Sequence, residues 1–366
     1  MPIKGIGEDS TLRLDLRYQT ASWSGLSFLV DMNGVYAIGH TSFRIPTLPS
    51  QNQVGYPTIN DPAVTDLHQL ELLWTIPSAP IKIKVGRDEL QLNNGRFLGN
   101  SLWRQTPQTI DLAQVSAALG DGFGVQYTYF DRVHRTIGKD ATDGTLNMNS
   151  HLGNLTWAKP DVVAASAYVL LLDYQRPDQW VNSTSTSGIR LTGPYKLNKD
   201  FGLYYTADFA HQKDYARNPN HVSVDYWDFE FGVEAHHEDI FVGWTELGAK
   251  SSTDKLSTPL APPFYGWVEK FGPNPTLKNS AGLDARYITA TGPVPGVAGL
   301  THTITYYDYY AVLNRVHYGH EIDLGLEWKA KPIAKNLLLG IRFGDYFAAA
   351  LYTHSVRIAP YSTLQF

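Results

Sequence analysis

The stretch "HEIDLGLEWK", residues 320–329, alternates without a break. Ile322, Leu324, Leu326 and Trp328 share one parity. Glu321, Asp323, Gly325, Glu327 and Lys329 share the other. A period of two means strand, because successive side chains point to opposite faces. The pattern recurs in "TLRLDLRY" (11–18), "PIKIKV" (80–85), "FGVQYTY" (123–129) and "YWDFEFGVE" (226–234). No amphipathic helix of ordinary length interrupts it, so the chain reads as all-β.

A strand with one apolar and one polar face fits two architectures. In a soluble sandwich or barrel the apolar face is the core. In an outer-membrane barrel the apolar face meets lipid and the polar face lines a lumen. Alternation alone does not choose between them. Three further features favour the membrane. About seventeen strands are too many for a small closed core. Short turns, such as "PSAP" (77–80) and "HHED" (236–239), alternate with long polar segments near 38–65, 88–106, 136–150, 176–186, 213–221 and 249–280, as in up-and-down outer-membrane barrels. Aromatics gather at strand ends in "WDF", "YTYF", "TYYDYY" and "LEW", where a girdle would meet head groups.

Composition narrows the choice further. Of 366 residues, 18% are charged and 43% hydrophobic, with 22 Tyr and 9 Trp. No cysteine is present, which rules out disulfides, thiolate metal sites and a cysteine nucleophile. The longest apolar run, "VVAASAYVLLL" (162–172), is too short for a transmembrane helix. The formal charge of −5 does not identify a partner. "MPIKGIGEDS" (1–10) lacks the apolar core of a secretory leader.

Strands are expected at seventeen places, from 11–20 to 354–366, including 25–36, 123–134, 151–158 and 317–329. An odd count puts the first and last strands in the same direction, whereas such barrels normally have an even number. One further strand and an export signal are therefore expected upstream. The expected fold is a transmembrane up-and-down antiparallel β-barrel over 1–366, with about 17 strands here and about 18 in the full barrel. The closing "STLQF" ends on Phe366 with Leu364 on the same face, although Pro360 removes a ladder donor nearby.

One segment breaks the alternation. "GRDELQLNNGRFLGNSLWRQ" (86–105) carries Arg87, Arg96 and Arg104 among Gly and Asn residues. Its Asn93-Asn94 pair, Gly95 and Gly99 allow the tight backbone of a loop folded into a lumen. Continued to Asp111, the segment resembles the signature of the alginate-export family of outer-membrane channels: Gly-Arg at a strand end, Asn before Arg-Phe, then Gly-Asn, Trp-Arg-Gln and Gln-Thr. "TPLAPPFYGWVEKF" with "GLDARY" (258–287) resembles a second family block. "YTADFAHQKDYARNPNHVSVDYWDFEFG" (205–232) resembles a third, and "YTYFDRVHRTIG" (127–138) a weaker one. The resemblance implies an eighteen-strand, monomeric channel passing an anionic polysaccharide or other anionic solute along basic residues.

The pore-lining residues expected are Arg87, Arg96 and Arg104 in the loop and Arg13, Arg17, Lys82, Lys84, Arg132, Arg190 and Arg342 on strands. Fixed positive charge selects anions, and guanidinium adds bidentate carboxylate recognition. Asp15, Asp228, Glu230, Glu321 and Asp323 lie on the same polar faces and would pair with the arginines or form an opposing acidic wall. The bland alternative makes these charges a solvated wall and the loop arginines anchors. Trp103 reads as a packing anchor. No metal site, cofactor, catalytic residue or nucleic-acid partner is expected: His-x-x-x-His spacing is absent, and no motif supports a Ser–His pair. Expected partners are outer-membrane lipid, lipopolysaccharide and an anionic or carbohydrate solute. A scaffold barrel holding a partner chain is the alternative.

Overall fold

The structure is a computed structural model that describes residues 5–198, 200–260, 262–271 and 281–366. It contains the seventeen expected strands. They are β1 (Glu8–Gln19), β2 (Leu26–Ser42), β3 (Val64–Thr75), β4 (Ile81–Asp88), β5 (Thr109–Gly120), β6 (Phe123–His134), β7 (Thr145–Lys159), β8 (Val163–Leu172) and β9 (Thr184–Lys196). The rest are β10 (Phe201–Asp214), β11 (Ser223–Ala235), β12 (Glu238–Leu247), β13 (Leu283–Pro293), β14 (Leu300–Tyr310), β15 (His317–Lys329), β16 (Leu337–Ala348) and β17 (Ser355–Leu364). Each strand pairs antiparallel with the next, from β1–β2 through β16–β17. No ladder joins β17 to β1 among the described residues, so the sheet has a seam. After sixteen reversals these two edges run in the same direction. The further strand expected upstream falls outside the described residues.

The direction of the apolar face separates the two architectures. On β15, Leu324 and Leu326 are 43% and 46% exposed, while Glu321 and Asp323 are 0% and 1% exposed. The inversion recurs in Leu12, Leu14 and Leu16 of β1, Val125 and Tyr127 of β6, Phe229 and Phe231 of β11 and Val356 and Ile358 of β17, all exposed. A water-soluble fold would leave this belt unburied, far beyond the patches that monomers tolerate. Lipid is the solvent that suits it.

Connections alternate as expected. Turns at one end are short, such as 121–122 and 236–237. Connections at the other include 43–63, 89–108 and 248–282. Two connections at the long-loop end, 311–316 and 349–354, are short, so that rim is low beside β14–β17.

β6 and β15 have their expected bounds. β2 runs on to Ser42, and β7 begins at Thr145 rather than 151. The physical reason for the second is visible in its inner face. Leu146, Met148 and Leu152 point inward and are buried, joined by Ile110, Phe130, Leu170 and Leu172 of neighbouring strands. Near the long-loop end the strands are apolar on both faces, because loops fold inside and pack on them. Period two then disappears from the sequence, as in "VVAASAYVLLL", which is largely β8.

Candidate functional site

The segment 89–108 folds inward, as its composition requires. Asn93 and Gly95 take φ of 52° and 80°, a left-handed pair in which Gly95 carries no Cβ penalty. Gly95 N–H donates to Leu92 O at 2.8 Å and Leu92 N–H to Leu98 O at 2.9 Å. This compact hook presents Leu92, Phe97 and Leu98 to the inner wall. Phe97 packs edge-on against Tyr226 of β11, with ring centroids 5.1 Å apart. A second inward segment, 256–271, meets the first: Gly99 N–H donates to Leu260 O at 3.0 Å. Its Phe271 packs on Tyr309 of β14 at 4.6 Å.

Arg96 and Arg104 are buried, at 6% and 3% exposure, so neither presents charge to a water path as expected. They act as anchors. Arg96 donates to Pro263 O at 2.8 Å and stacks over Tyr265 at 4.1 Å. Burial pushes the Tyr265 phenol well above its ordinary range, so it stays neutral beneath the guanidinium. Arg104 bonds Asp61 at 2.8 Å and also Glu269. Glu269 in turn pairs with Arg357 of β17. Three loops are thus joined through the Arg104 guanidinium, and Glu269 ties them to an edge strand.

The same hook spans the seam. Trp103 packs on Tyr361 of β17 at 5.9 Å, while Gln105 Nε2 donates to Thr11 of β1 at 2.9 Å. Two residues of one loop therefore touch both unpaired edges, so the sheet curls far enough for an infolded loop to bridge the seam.

Two further expectations are corrected. Arg87 and Arg132 face outward. Arg87 shares its face with exposed Val85 and lies opposite Leu70 and Asp111 in the ladders. Its Nε reaches Asp111 at 2.8 Å, and Arg132 approaches the same carboxylate at 3.7 Å. A bulge between Phe130 and Arg132 turns Arg132 outward. The run Ile81, Ile83, Val85, Arg87 carries the signal for the first in plain parity. The bulge leaves none for the second.

The remaining cations lie on the inner parity. Arg13 pairs with Asp15 at 2.9 Å; Arg17 donates to Gln69 at 3.4 Å and lies 4.0 Å from Asp31. Lys84 bridges Glu71 and Asp88, and Arg190 bridges Asp208 and Asp228 at 3.0 and 3.3 Å. Lys82 is exposed near the short-turn end. Among the described residues, no carboxylate lies within ion-pair distance of Lys82 or Arg342. Arg342 is held by aromatics: Trp103 at 4.0 Å, Trp267 at 5.3 Å and Tyr361 at 5.5 Å.

The acidic side is organised too. Glu321 and Asp323 accept the Val268 and Trp267 amides at 2.7 and 3.0 Å, pinning the second loop to β15. Tyr287 Oη donates to Glu230 at 2.7 Å, and Tyr361 Oη to Glu327 at 2.9 Å. In each case a glycine stands between in register: Glu230, Gly243, Tyr287 and Glu327, Gly340, Tyr361.

The apolar-out wall, the paired ladders and the infolded loops agree with solved structures. Pseudomonas aeruginosa OccK9 (OpdG) aligns with a TM-score of 0.73 at 13% identity, over 97% of this chain and 91% of that one.

The chain has the fold of an outer-membrane porin.

Pseudomonas aeruginosa OpdK, solved with vanillate, aligns at 0.71 and 12% identity over 99% and 95% of the two chains. Acinetobacter baumannii OccAB2 aligns at 0.70 and 13% over 97% and 92%. These neighbours are Occ and Opd porins rather than alginate exporters, so the family-level expectation retreats to the porin fold. No family model and no curated protein matches the sequence.

Proposed function

We propose that this chain is an outer-membrane channel for passive transport of small anionic or sugar-like solutes. One observation carries the reading: the apolar parity faces out and the charged parity faces in, which encloses a polar route through a lipid barrier. The solved neighbour with vanillate, a small carboxylate, is consistent with that solute class. Arg13, Arg17, Lys82, Lys84 and Arg342 are the cations assigned to the route. Arg342 has the strongest claim, since aromatic stacking fixes its plane and no carboxylate among the described residues lies within ion-pair distance. The infolded loops narrow the lumen, and Arg96 and Arg104 fix them rather than select solute. Lipid and lipopolysaccharide surround the barrel, and no catalytic role is assigned. Alginate is not part of the proposal.

Planar-bilayer reversal potential under a salt gradient tests it. Anion preference is expected in the wild type. Arg342→Ala combined with Arg13→Ala and Arg17→Ala should move the potential toward cation preference. Cation preference in the wild type, or an unchanged potential in the triple variant, would refute the assignment.

A further inference from the structure

Two grooves on the outer wall differ in their chemistry. One, of about 300 Å³, is lined by Ile304, Leu324, Leu326, Ile341 and Phe343 with His302 and has no arginine. The other, of about 440 Å³, lies between β3 and β6, lined by Leu70, Val85, Ala113 and Tyr129. Arg87 and Asp111 close its long-loop end, and Asp131 stands on its edge. Along β6 the exposed side chains from Phe123 to Tyr127 are apolar, and charge begins at Asp131 and Arg132. The second groove therefore ends at the border between hydrocarbon and head groups.

Three basic side chains at that border converge on one carboxylate, with Asp66 and the exposed Asp131 beside them. Asp111 receives Arg87 at 2.8 Å, His134 at 3.0 Å and Arg132 only at 3.7 Å. Asp66 lies 4.0 Å from Arg87. Arg87 is held in place, whereas the Arg132 side chain is 47% exposed and its charge is incompletely satisfied. An arginine at head-group level above an apolar trough complements a phosphorylated lipid: phosphate on guanidinium and an acyl chain below. We propose that this groove binds one phosphorylated saccharolipid of the outer leaflet, with its phosphate on Arg132, Arg87 and His134 behind it, and an acyl chain along Val85, Ala113 and Tyr129. The site rests on the outward face meeting lipid, and its test does not read transport.

The test is native mass spectrometry of the detergent-solubilised barrel titrated with diphosphoryl lipid A, its dephosphorylated form, and phosphatidylethanolamine. One lipid A is expected to be retained at least tenfold more strongly than either alternative. Arg132→Ala should remove that preference. Ala113→Phe, which fills the trough from the lipid side, should weaken all binding at this site while Arg132 remains. Leu326→Phe, in the uncharged groove, should change nothing. Equal retention of the three lipids, or lipid A binding unchanged in both Arg132→Ala and Ala113→Phe, would overturn the proposal.

Discussion

At the scale of single residues, two devices hold the inner surface. The first is the triplet in which a tyrosine crosses a glycine to reach a glutamate. A Cβ on Gly243 would lie 2.1 Å from the Tyr287 ring, and one on Gly340 would lie 2.2 Å from the Tyr361 ring. Gly243→Val must therefore displace Tyr287 and strand Glu230, at a cost of about 1–3 kcal/mol from overpacking. The expected outcome is a lower urea midpoint for the folded barrel, read by heat-modifiable gel mobility, with Gly340→Val behaving alike. An unshifted midpoint in both would show the triplets to be incidental. The second device is Arg104. Arg104→Ala leaves Asp61 without its cation and Glu269 with Arg357 alone, and removing one partner of a buried pair costs about 3–5 kcal/mol. Faster limited proteolysis within 89–108 should follow, and Arg104→Lys should recover only part of the protection. Identical cleavage rates in wild type and Arg104→Ala would exclude the anchoring role. Little of this was legible in sequence. The arginines stood out, but their burial depends on Glu269, Asp61 and Pro263, which are distant in the chain. Arg87, expected in the pore, carried the opposite signal in its parity with Ile81, Ile83 and Val85, which is that of the outer face.

At the scale of elements, strand identity follows from period two wherever one face meets lipid and the other meets polar groups. β6 and β15 show this, with bounds matching the alternation. The pattern fails at the long-loop end, where loops add an inner apolar core and Leu146, Met148 and Leu170 become apolar on the lumen side. β7 therefore hid its first turn of pairing in what resembled a loop. The facing of a strand makes a direct prediction. Leu324→Arg puts a guanidinium on the lipid face and should cost about 2–4 kcal/mol near the bilayer midplane. Thr192→Arg, on the opposite parity from exposed Leu191, points into the lumen and should cost far less. Folding yields into lipid vesicles across a urea series check the pair. Equal penalties would mean the faces are misassigned.

At the scale of the whole molecule, seventeen consecutive antiparallel strands leave two edges running the same way. The hook at 89–108 joins them through Trp103 and Gln105. Its Gly/Asn-rich composition announced an infolded loop, but the seam it crosses could not be read from it, since that depends on where β1 and β17 end up. The same blocks suggested alginate exporters, yet the neighbours in space are Occ and Opd porins at 12–13% identity. In this chain the Asn, Gly, Arg and Trp of the first block shape and anchor an infolded loop, a role that does not single out one family. The inverted wall is the feature on which transport rests, and the absence of cysteine makes it testable at single positions. Six single-cysteine variants across β1, residues 12–17, reconstituted in vesicles, should be exposed to a membrane-impermeant thiol reagent and to brominated lipid after fluorophore labelling. The predicted result alternates: positions 13, 15 and 17 react from water, while 12, 14 and 16 resist the reagent and are quenched by lipid. The opposite alternation, or uniform reactivity along the strand, would contradict it.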